Sequence, residues 1–562
     1  MIENRFKNIY NIDVLIVGAG INGAGLFREL ALQDVNCLLI DKSDFMSGAS
    51  AAPSRMIHGG LRYLENREVR LVQESLSERN LLLQNAPHYV FPLPTVIPIY
   101  HWFSGIINGI RKFFGMKATN TPRGAIIVKL GLLMYDIFTR NQRVVPTHQF
   151  SSRKKSLEDR PLLDPNIVCT ALFYDAWISF PERLGIELIQ DGLDLNNGSI
   201  ALNYVSLNRV ENGQVILKDE LSGRETKIKP KVVVNATGAW IDFANLSLGK
   251  KTKFIGGTKG SHLMVDNQAL MNATMGQMVY YENDEGRICI LFPLHGKVMI
   301  GSTDIKVTNP DEVVCTDEEV EYMLSCVRQV FPKLDINPSQ VIFKYSGVRP
   351  LPNSEGDLKN AQISRDHSTK VIEPTEGGLP FPILNLIGGK WTTFRAFGEQ
   401  TSDKILTYLG LSSKVKSTNF AIGGGKNFPK TEVEKINWIG KIQKKSGLEA
   451  ERINTLLNRY GTNAEKVIDY IRLGGDCLLK SSPNYSKLEI EYLLKNEFVN
   501  HLDDLILRRT VIALSGELTS ELFIELADIY SDFFQLNLDV KSKEIERTKA
   551  ILTQKHGVNL NV

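Results

Sequence analysis

The chain has 562 residues, 43% of them hydrophobic and 23% charged, with a formal net charge of +3. That length supports two or three domains around a large core, and the composition is that of an ordinary soluble globular protein. A charge so near zero argues against nucleic-acid binding, which needs a concentrated basic face, and no apolar run reaches the roughly 18 residues that a bilayer span requires.

The N-terminus carries charges and runs straight into a strand, without the apolar stretch and cleavage site of a secretory signal. The first strand reads DVLIVGAG (Asp13 to Gly20), followed by a helix, INGAGLFRELALQD, and a second apolar strand, NCLLID, from Asn36 to Asp41. This is a βαβ unit, so a parallel sheet is expected. Between strand and helix, Gly18, Gly20 and Gly23 fit G-x-G-x-x-G, the pattern that lets backbone approach a pyrophosphate at a helix N-terminus. Asp41 closes the second strand, 18 residues after Gly23, where it can accept from a ribose diol. Strand, glycines, helix, strand and acid together predict a dinucleotide site.

A Ser/Ala/Gly-rich segment (Ser47 to Gly60) precedes a helical pattern from Arg67 to Pro87. Alternating patterns return from Gly198, and KVVVNATG, HLMV, ICILFPL and KVMIGSTD read as strands, as does ILNLIGG (Ile383 to Gly389) before the helical FRAFGEQTSDKILTYL. VVVNATGAW (Val232 to Trp240) resembles the ATG strand of FAD enzymes of the glutathione-reductase and amino-acid-oxidase type. A cofactor domain built from the start, middle and end of the chain favours FAD over NAD. Gly, Ser and Lys crowd together at 410 to 430, marking a boundary, and the segments beyond it are helical. Cys37, Cys169, Cys289, Cys315, Cys326 and Cys477 show no C-x-x-C pair and no metal-ligand spacing. Reduced thiols in a cytosolic compartment, and no metal, are expected.

From SRMIHGGLRYLE (Ser54 to Glu65) the chain resembles the FAD-dependent glycerol-3-phosphate dehydrogenase and oxidase family, most of all its aerobic, quinone-linked dehydrogenases. INGAG, LGLLMYD, VVNATGAWID, KGSHLMV, IGSTD, YSGVRPL, SRDH, GGKWTTFR and DDLILRRT extend the resemblance along nearly the whole chain. It implies an α/β (α+β) fold: a glutathione-reductase/D-amino-acid-oxidase-like Rossmann domain, an antiparallel-sheet substrate domain and an all-α C-terminal domain. The catalytic body would cover 1–410, with a discontinuous FAD-binding part (about 10–90, 195–245 and 340–410) and a substrate part (about 91–194 and 246–339). The helical domain would cover 411–562.

By the same resemblance the substrate phosphate is held by Arg62, Tyr63, Arg349, Arg365 and Lys390, with Thr303 nearby. Taken singly, each charge is at home on a solvated surface. Three of them sit in glycine-rich apolar segments, where an unpaired charge is costly, and arginine offers a fork matched to phosphate oxygens. For the base that takes the C2 hydroxyl proton the choice is His262, with Arg349 stabilising alkoxide charge; a histidine bonded within its strand is the alternative. The cofactor set adds Lys42, Ser50, Ser54, His58, Gly59, Gly60, Val205, Ala236, Gly238, Gly388, Gly389 and Thr392.

Three departures stand out. The usual Ser-rich run before IHGG here reads GASAAPSRM, keeping Ser50 and Ser54 and inserting Pro53. YDAWISFPERL keeps Arg183 and Leu184, but Ser179, Phe180 and Pro181 replace the preceding acids, which leaves an altered substrate or acceptor preference open. Asp41 stands where glutamate is commoner. Residues 101–117 place Trp102, Phe103, Ile106, Ile107, Ile110, Phe113 and Phe114 at helical spacing, ending in Arg111, Lys112 and Lys117. This suits either an interfacial helix or a helix docked on the protein's own core. The resemblance favours the former, with the protein cytoplasmic and peripheral on the inner face of the membrane.

The partners expected are glycerol 3-phosphate, a quinone acceptor and a membrane surface, with no nucleic acid; a homodimer stays open. The alternatives are an oxidase that passes electrons to O2 and releases H2O2, a relative acting on another phosphorylated polyol or on a carboxylated amine, and a flavin-bound scaffold without turnover.

Overall fold

The computed structural model describes residues 5–7, 9, 12–60, 68–105, 123–140, 144–283, 286–353, 366–374 and 378–561. Arg62, Tyr63, Arg365 and most of the 101–117 stretch lie outside the described residues.

Short, mostly apolar runs build the nucleotide-binding sheet. Val14–Val17, Cys37–Ile40 and Val232–Asn235 are each buried along their whole length, as expected of parallel strands covered on both faces. Six strands line up in the order Ser368–Ile372, Ile383–Ile387, Val232–Asn235, Val14–Val17, Cys37–Ile40 and Ile200–Leu202. All neighbours are parallel except the first pair. The helices Ile21–Leu32, Pro181–Leu195 and Phe394–Leu409 pack together over one face. A three-stranded antiparallel meander (Val205–Glu211, Gln214–Asp219, Glu225–Ile228) stands beside the sheet.

A ten-stranded sheet forms the second layer. Its pairs are antiparallel, except that Met278–Glu282 runs parallel to Val90–Ile99. The expected antiparallel sheet is therefore mixed. Next to one edge of it, Thr258–Val265 is buried at every position, between Lys297–Gly301 and Val341–Arg349. Two expected boundaries move as a result. Val341–Arg349 belongs to this sheet and not to the nucleotide-binding part, because its ladder partner is Thr258–Val265. Pro181–Leu195 belongs with the nucleotide-binding layer, because its buried face meets Ile21–Leu32.

Beyond 430 the chain is helical: Glu432–Ser446, Ala450–Tyr460, Ala464–Ile471, Lys487–Asn496, Ser520–Phe533 and Leu538–His556. DDLILRRT forms a short π-helical turn, Leu505–Arg509, rather than a regular helix. The helical unit is not a separate bead. Its core (Leu456, Ile506, Phe523, Leu526) is continuous with Met264, Met299, Phe343 and Tyr345 of the large sheet. Amphipathic helices this short need a partner surface to be stable, and here the sheet provides it.

Candidate active site and cofactor cavity

A cavity of about 1190 Å³ opens where the two sheets and the helical unit meet. At one end the first strand turns at Gly18 (φ +100°), where a Cβ would lie 2.7 Å from the Ala236 carbonyl group. A Cβ on Gly23 would lie 1.9 Å from the Gly18 carbonyl oxygen, so strand and helix approach closely only because neither residue has a side chain. The N–H of Ile21, an orphan donor of the helix start, is taken by Ser50 Oγ at 2.9 Å. Asp41 accepts from the Ala19 N–H (2.8 Å) and the Ser43 N–H (3.0 Å). Burial pushes its carboxyl up to about 6, against the pull of those two hydrogen bonds.

The adjoining wall is assembled from distant segments. Gly388 and Gly389 have φ of +74° and +100°, and a Cβ on them would meet the Asp366 carbonyl and the Asn22 side chain at 2.7 and 2.6 Å. The chain then passes to Thr392, whose hydroxyl accepts the His58 N–H at 3.1 Å, so IHGG and GGKWTT lie side by side. Asp175 braces the same loop through the Gly59 N–H (3.3 Å), Arg79 (3.0 Å) and the Tyr135 hydroxyl (3.1 Å). Lys390 borders the cavity and donates to Ser75 Oγ at 3.1 Å.

From the large sheet come His262 and Arg349. The guanidinium of Arg349 donates to Ser302 Oγ (3.0 Å), the Thr303 carbonyl (3.2 Å) and Asp304 Oδ1 (3.2 Å). It lies across Gly260, where a Cβ would sit 2.1 Å from its Nη2. The His262 ring stacks on Tyr345 (centroids 5.1 Å apart) and fits against Gly301, where a Cβ would meet its Cδ2 at 2.2 Å. Neither ring nitrogen has a hydrogen-bond partner within the protein. Burial first, and the positive charges of Arg349 and Arg55 next, depress the ring to about 3, so it is neutral at working pH.

A family model described as FAD dependent oxidoreductase matches residues 13–373, and one described as the C-terminal domain of alpha-glycerophosphate oxidase matches residues 415–539. The chain is 31% identical over 535 residues to a glycerol-3-phosphate dehydrogenase of Synechocystis sp., across 91% of each chain. It is 26% identical over 576 residues to the aerobic glycerol-3-phosphate dehydrogenase of Bacillus subtilis, covering 98% of this chain and 96% of that one. Its fold is that of the glycerol-3-phosphate dehydrogenase from Bacillus halodurans complexed with FAD, with a TM-score of 0.72, 21% identity and coverage of 97% and 95% of the two chains. The chain belongs to the FAD-dependent glycerol-3-phosphate dehydrogenase and oxidase family.

The cavity fits the family's cofactor. Its glycine-lined wall (Gly18, Gly20, Gly388, Gly389) lets backbone reach a dinucleotide, and Asp41, Val205, Ala236 and Gly238 border the same end. Of the residues singled out from the family motifs, Lys42, Ser50, Ser54, His58, Gly60, Val205, Lys390 and Thr392 all line the cavity. Gly23 and Gly59 stand behind it, as close-packing and bracing positions. Thr303 borders it, but its hydroxyl is engaged within the protein, donating to Glu319 Oε1 (2.6 Å) and accepting the Ser261 N–H (3.0 Å). Its carbonyl is what serves Arg349.

The altered SFPERL segment divides in two. Arg183 points away from the cavity, forked onto Glu497 at 2.8 and 2.9 Å. Glu182 borders the cavity and pairs with Arg55 (3.2 Å), whose Nη1 also donates to the Ser179 carbonyl. Sequence reasoning missed Arg55, Gly260, Gly301, Ser302 and Asp304, and it also missed a wall supplied by the helical unit: Asp503, Leu507, Arg508, Arg547, Lys555 and His556. DDLILRRT was the one available signal for that wall, since a charged pair inside an apolar helical pattern calls for buried partners.

With Asp41 as the ribose acceptor, FAD binding is expected to depend on pH. An ionised carboxylate accepts from ribose hydroxyls at both oxygens and more strongly than the protonated acid, so bound donors favour the ionised form. Below about pH 6 the apoprotein must lose a proton to bind, so FAD affinity is expected to fall by up to about tenfold per pH unit. Asp41→Asn should flatten that profile, as measured by flavin fluorescence titration of the apoprotein.

Proposed function

We propose that the protein oxidises sn-glycerol 3-phosphate to dihydroxyacetone phosphate and passes the electrons to a membrane quinone. The observation that carries this reading is that one cavity is lined by a dinucleotide cradle, by Arg349 and Lys390, and by a neutral imidazole whose ring nitrogens have no hydrogen-bond partner within the protein. FAD would be held by Gly18, Gly20, Asp41 and the Gly388–Gly389 wall, and would supply the hydride-accepting redox chemistry. Arg349 and Lys390 hold the phosphate dianion, joined by Arg62, Tyr63 and Arg365 from outside the described residues. Ser302 and Asp304 fix the direction of the Arg349 fork. His262 accepts the C2 hydroxyl proton at a ring nitrogen as the C2–H electron pair leaves, so the alcohol becomes a ketone. The incoming dianion raises the basicity of the ring, since negative charge nearby favours imidazolium.

A surface feature supports a membrane-borne acceptor. The Ala125–Phe138 helix buries Val128, Leu132 and Tyr135 but exposes Ile126, Leu130, Leu133 and Ile137 on one side, with Lys129 beside them. Trp102 and Phe103, in a turn at the foot of this helix, are 52% and 71% exposed. No helix among the described residues is long and apolar enough to cross a membrane. An apolar helix face with aromatic neighbours suits the plane of a bilayer, and it supports peripheral binding on the cytoplasmic face of the cell membrane, where quinone is met.

The test is anaerobic addition of glycerol 3-phosphate to the yellow holoprotein, followed by quinone-loaded anionic vesicles or by oxygen. The flavin should bleach with substrate and recover with vesicles much faster than with oxygen. Leu130→Glu with Ile137→Glu should weaken vesicle flotation by about tenfold or more while dye-linked activity stays unchanged. A flavin that does not bleach would remove the substrate, and stoichiometric peroxide without quinone reduction would favour the oxidase.

A further inference from the structure

Three residues beyond Asp41, on the same turn, Asp44 is 1% exposed, and both of its oxygens are engaged. Arg509 forks onto it with Nη1 to Oδ2 and Nη2 to Oδ1, each at 2.8 Å. Arg508 Nε donates to Oδ2 at 2.5 Å and Asn203 Nδ2 to Oδ1 at 3.0 Å. Both arginines come from the Leu505–Arg509 turn of the helical unit. Arg508 continues to Asp503 (2.9 Å) and Asp504 (2.6 Å), and Arg547 pairs with Asp503. Three guanidinium groups thus balance three carboxylates. A second strut runs alongside: the Tyr204 hydroxyl donates to Asp504 at 2.7 Å, and its N–H donates to the Ser43 carbonyl at 3.0 Å. Ser43 is the residue whose N–H holds Asp41 Oδ1.

We propose that Arg508, Arg509 and Asp44 are positioning residues for the cofactor: through them the helical unit fixes the turn that carries Asp41 and so sets the affinity for the adenosine part of FAD. This rests on Asp41 being the ribose acceptor. An aspartate buried without its guanidinium partners is strongly disfavoured. Weakening the clasp makes the turn open to hydrate Asp44, and Asp41 moves with it. A clasp that merely docked the helical unit would leave cofactor affinity untouched, since no atom of Arg509 need meet the ligand.

The experiment is a double-mutant cycle on the full-length apoprotein, reading dissociation constants for FAD and for ADP, which carries the adenosine part without a flavin. Arg509→Lys keeps the charge and loses the fork; it should weaken FAD and ADP alike, by about tenfold. Asp41→Asn should weaken both, and the double variant should be no weaker than Asp41→Asn alone, because coupled residues are not additive. Asn203→Ser removes one donor to Asp44 without unpairing a charge; it should weaken both ligands by about threefold, and it carries the cycle if Arg509→Lys does not fold. Unchanged FAD and ADP constants in Arg509→Lys or Asn203→Ser, with Asp41→Asn weakened, would overturn the clasp. So would fully multiplicative effects. Unchanged constants in Asp41→Asn would overturn the ribose reading itself, and the clasp with it.

Discussion

Replacing Arg349 by alanine is expected to lower kcat/KM for glycerol 3-phosphate by roughly two to three orders of magnitude while flavin stays bound. The guanidinium is held by the Ser302 hydroxyl, the Thr303 carbonyl and Asp304, and it lies flat over Gly260. It is therefore preorganised, and no ordering cost is left to meet when a dianion arrives. The alanine variant also leaves Asp304 without its ion-pair partner, adding a repulsive carboxylate beside the phosphate. Arg349→Lys should recover part of the loss, because charge returns without the fork. Steady-state kinetics read beside flavin absorbance separates a substrate effect from loss of cofactor. Unaltered kinetics would take Arg349 out of the site.

Replacing His262 by glutamine should lower kcat by about 10²- to 10⁴-fold with little change in KM, as expected for loss of a base that acts in the transition state. Its pH signature is specific. A ring held at about 3 by burial and by Arg349 is neutral at every pH above that value, so protonation of His262 cannot bend kcat/KM between pH 5 and 8. In the complex the substrate dianion raises the ring, so any His262 bend appears at higher pH in kcat than in kcat/KM. A limb near pH 6.5 in kcat/KM that vanished in His262→Gln would show a ring far more solvated than its 2% exposure allows. Gly301→Ala is a steric companion, since its methyl would displace the imidazole by direct overlap.

The elements that were plain in the sequence are those whose signal is local. VLIV, CLLI and the VVV of VVVN are continuous apolar runs, the composition of strands buried on both faces. Gly18, Gly23 and Asp41 lie within one βαβ unit, where chain spacing nearly fixes distance in space. The C-terminal helices are periodic, so they too could be read. The two boundaries that moved had no such signal: Val341–Arg349 has the alternation of any half-covered strand, and only its ladder with Thr258–Val265 says which sheet it joins.

The sequence by itself determined the cofactor cradle, the presence of two kinds of sheet and the helical end, because periodicity, glycine placement and apolar run length act over a few residues. Only the tertiary structure decided that His262 nestles against Gly301, that Gly260 makes room for Arg349, and that Asp44 is clasped by Arg508 and Arg509. Each of these joins groups far apart in the chain through cross-strand register or the docking of one unit on another. The free energy that selects such pairs, from close packing and from pairing a buried charge, exists only once the segments have met.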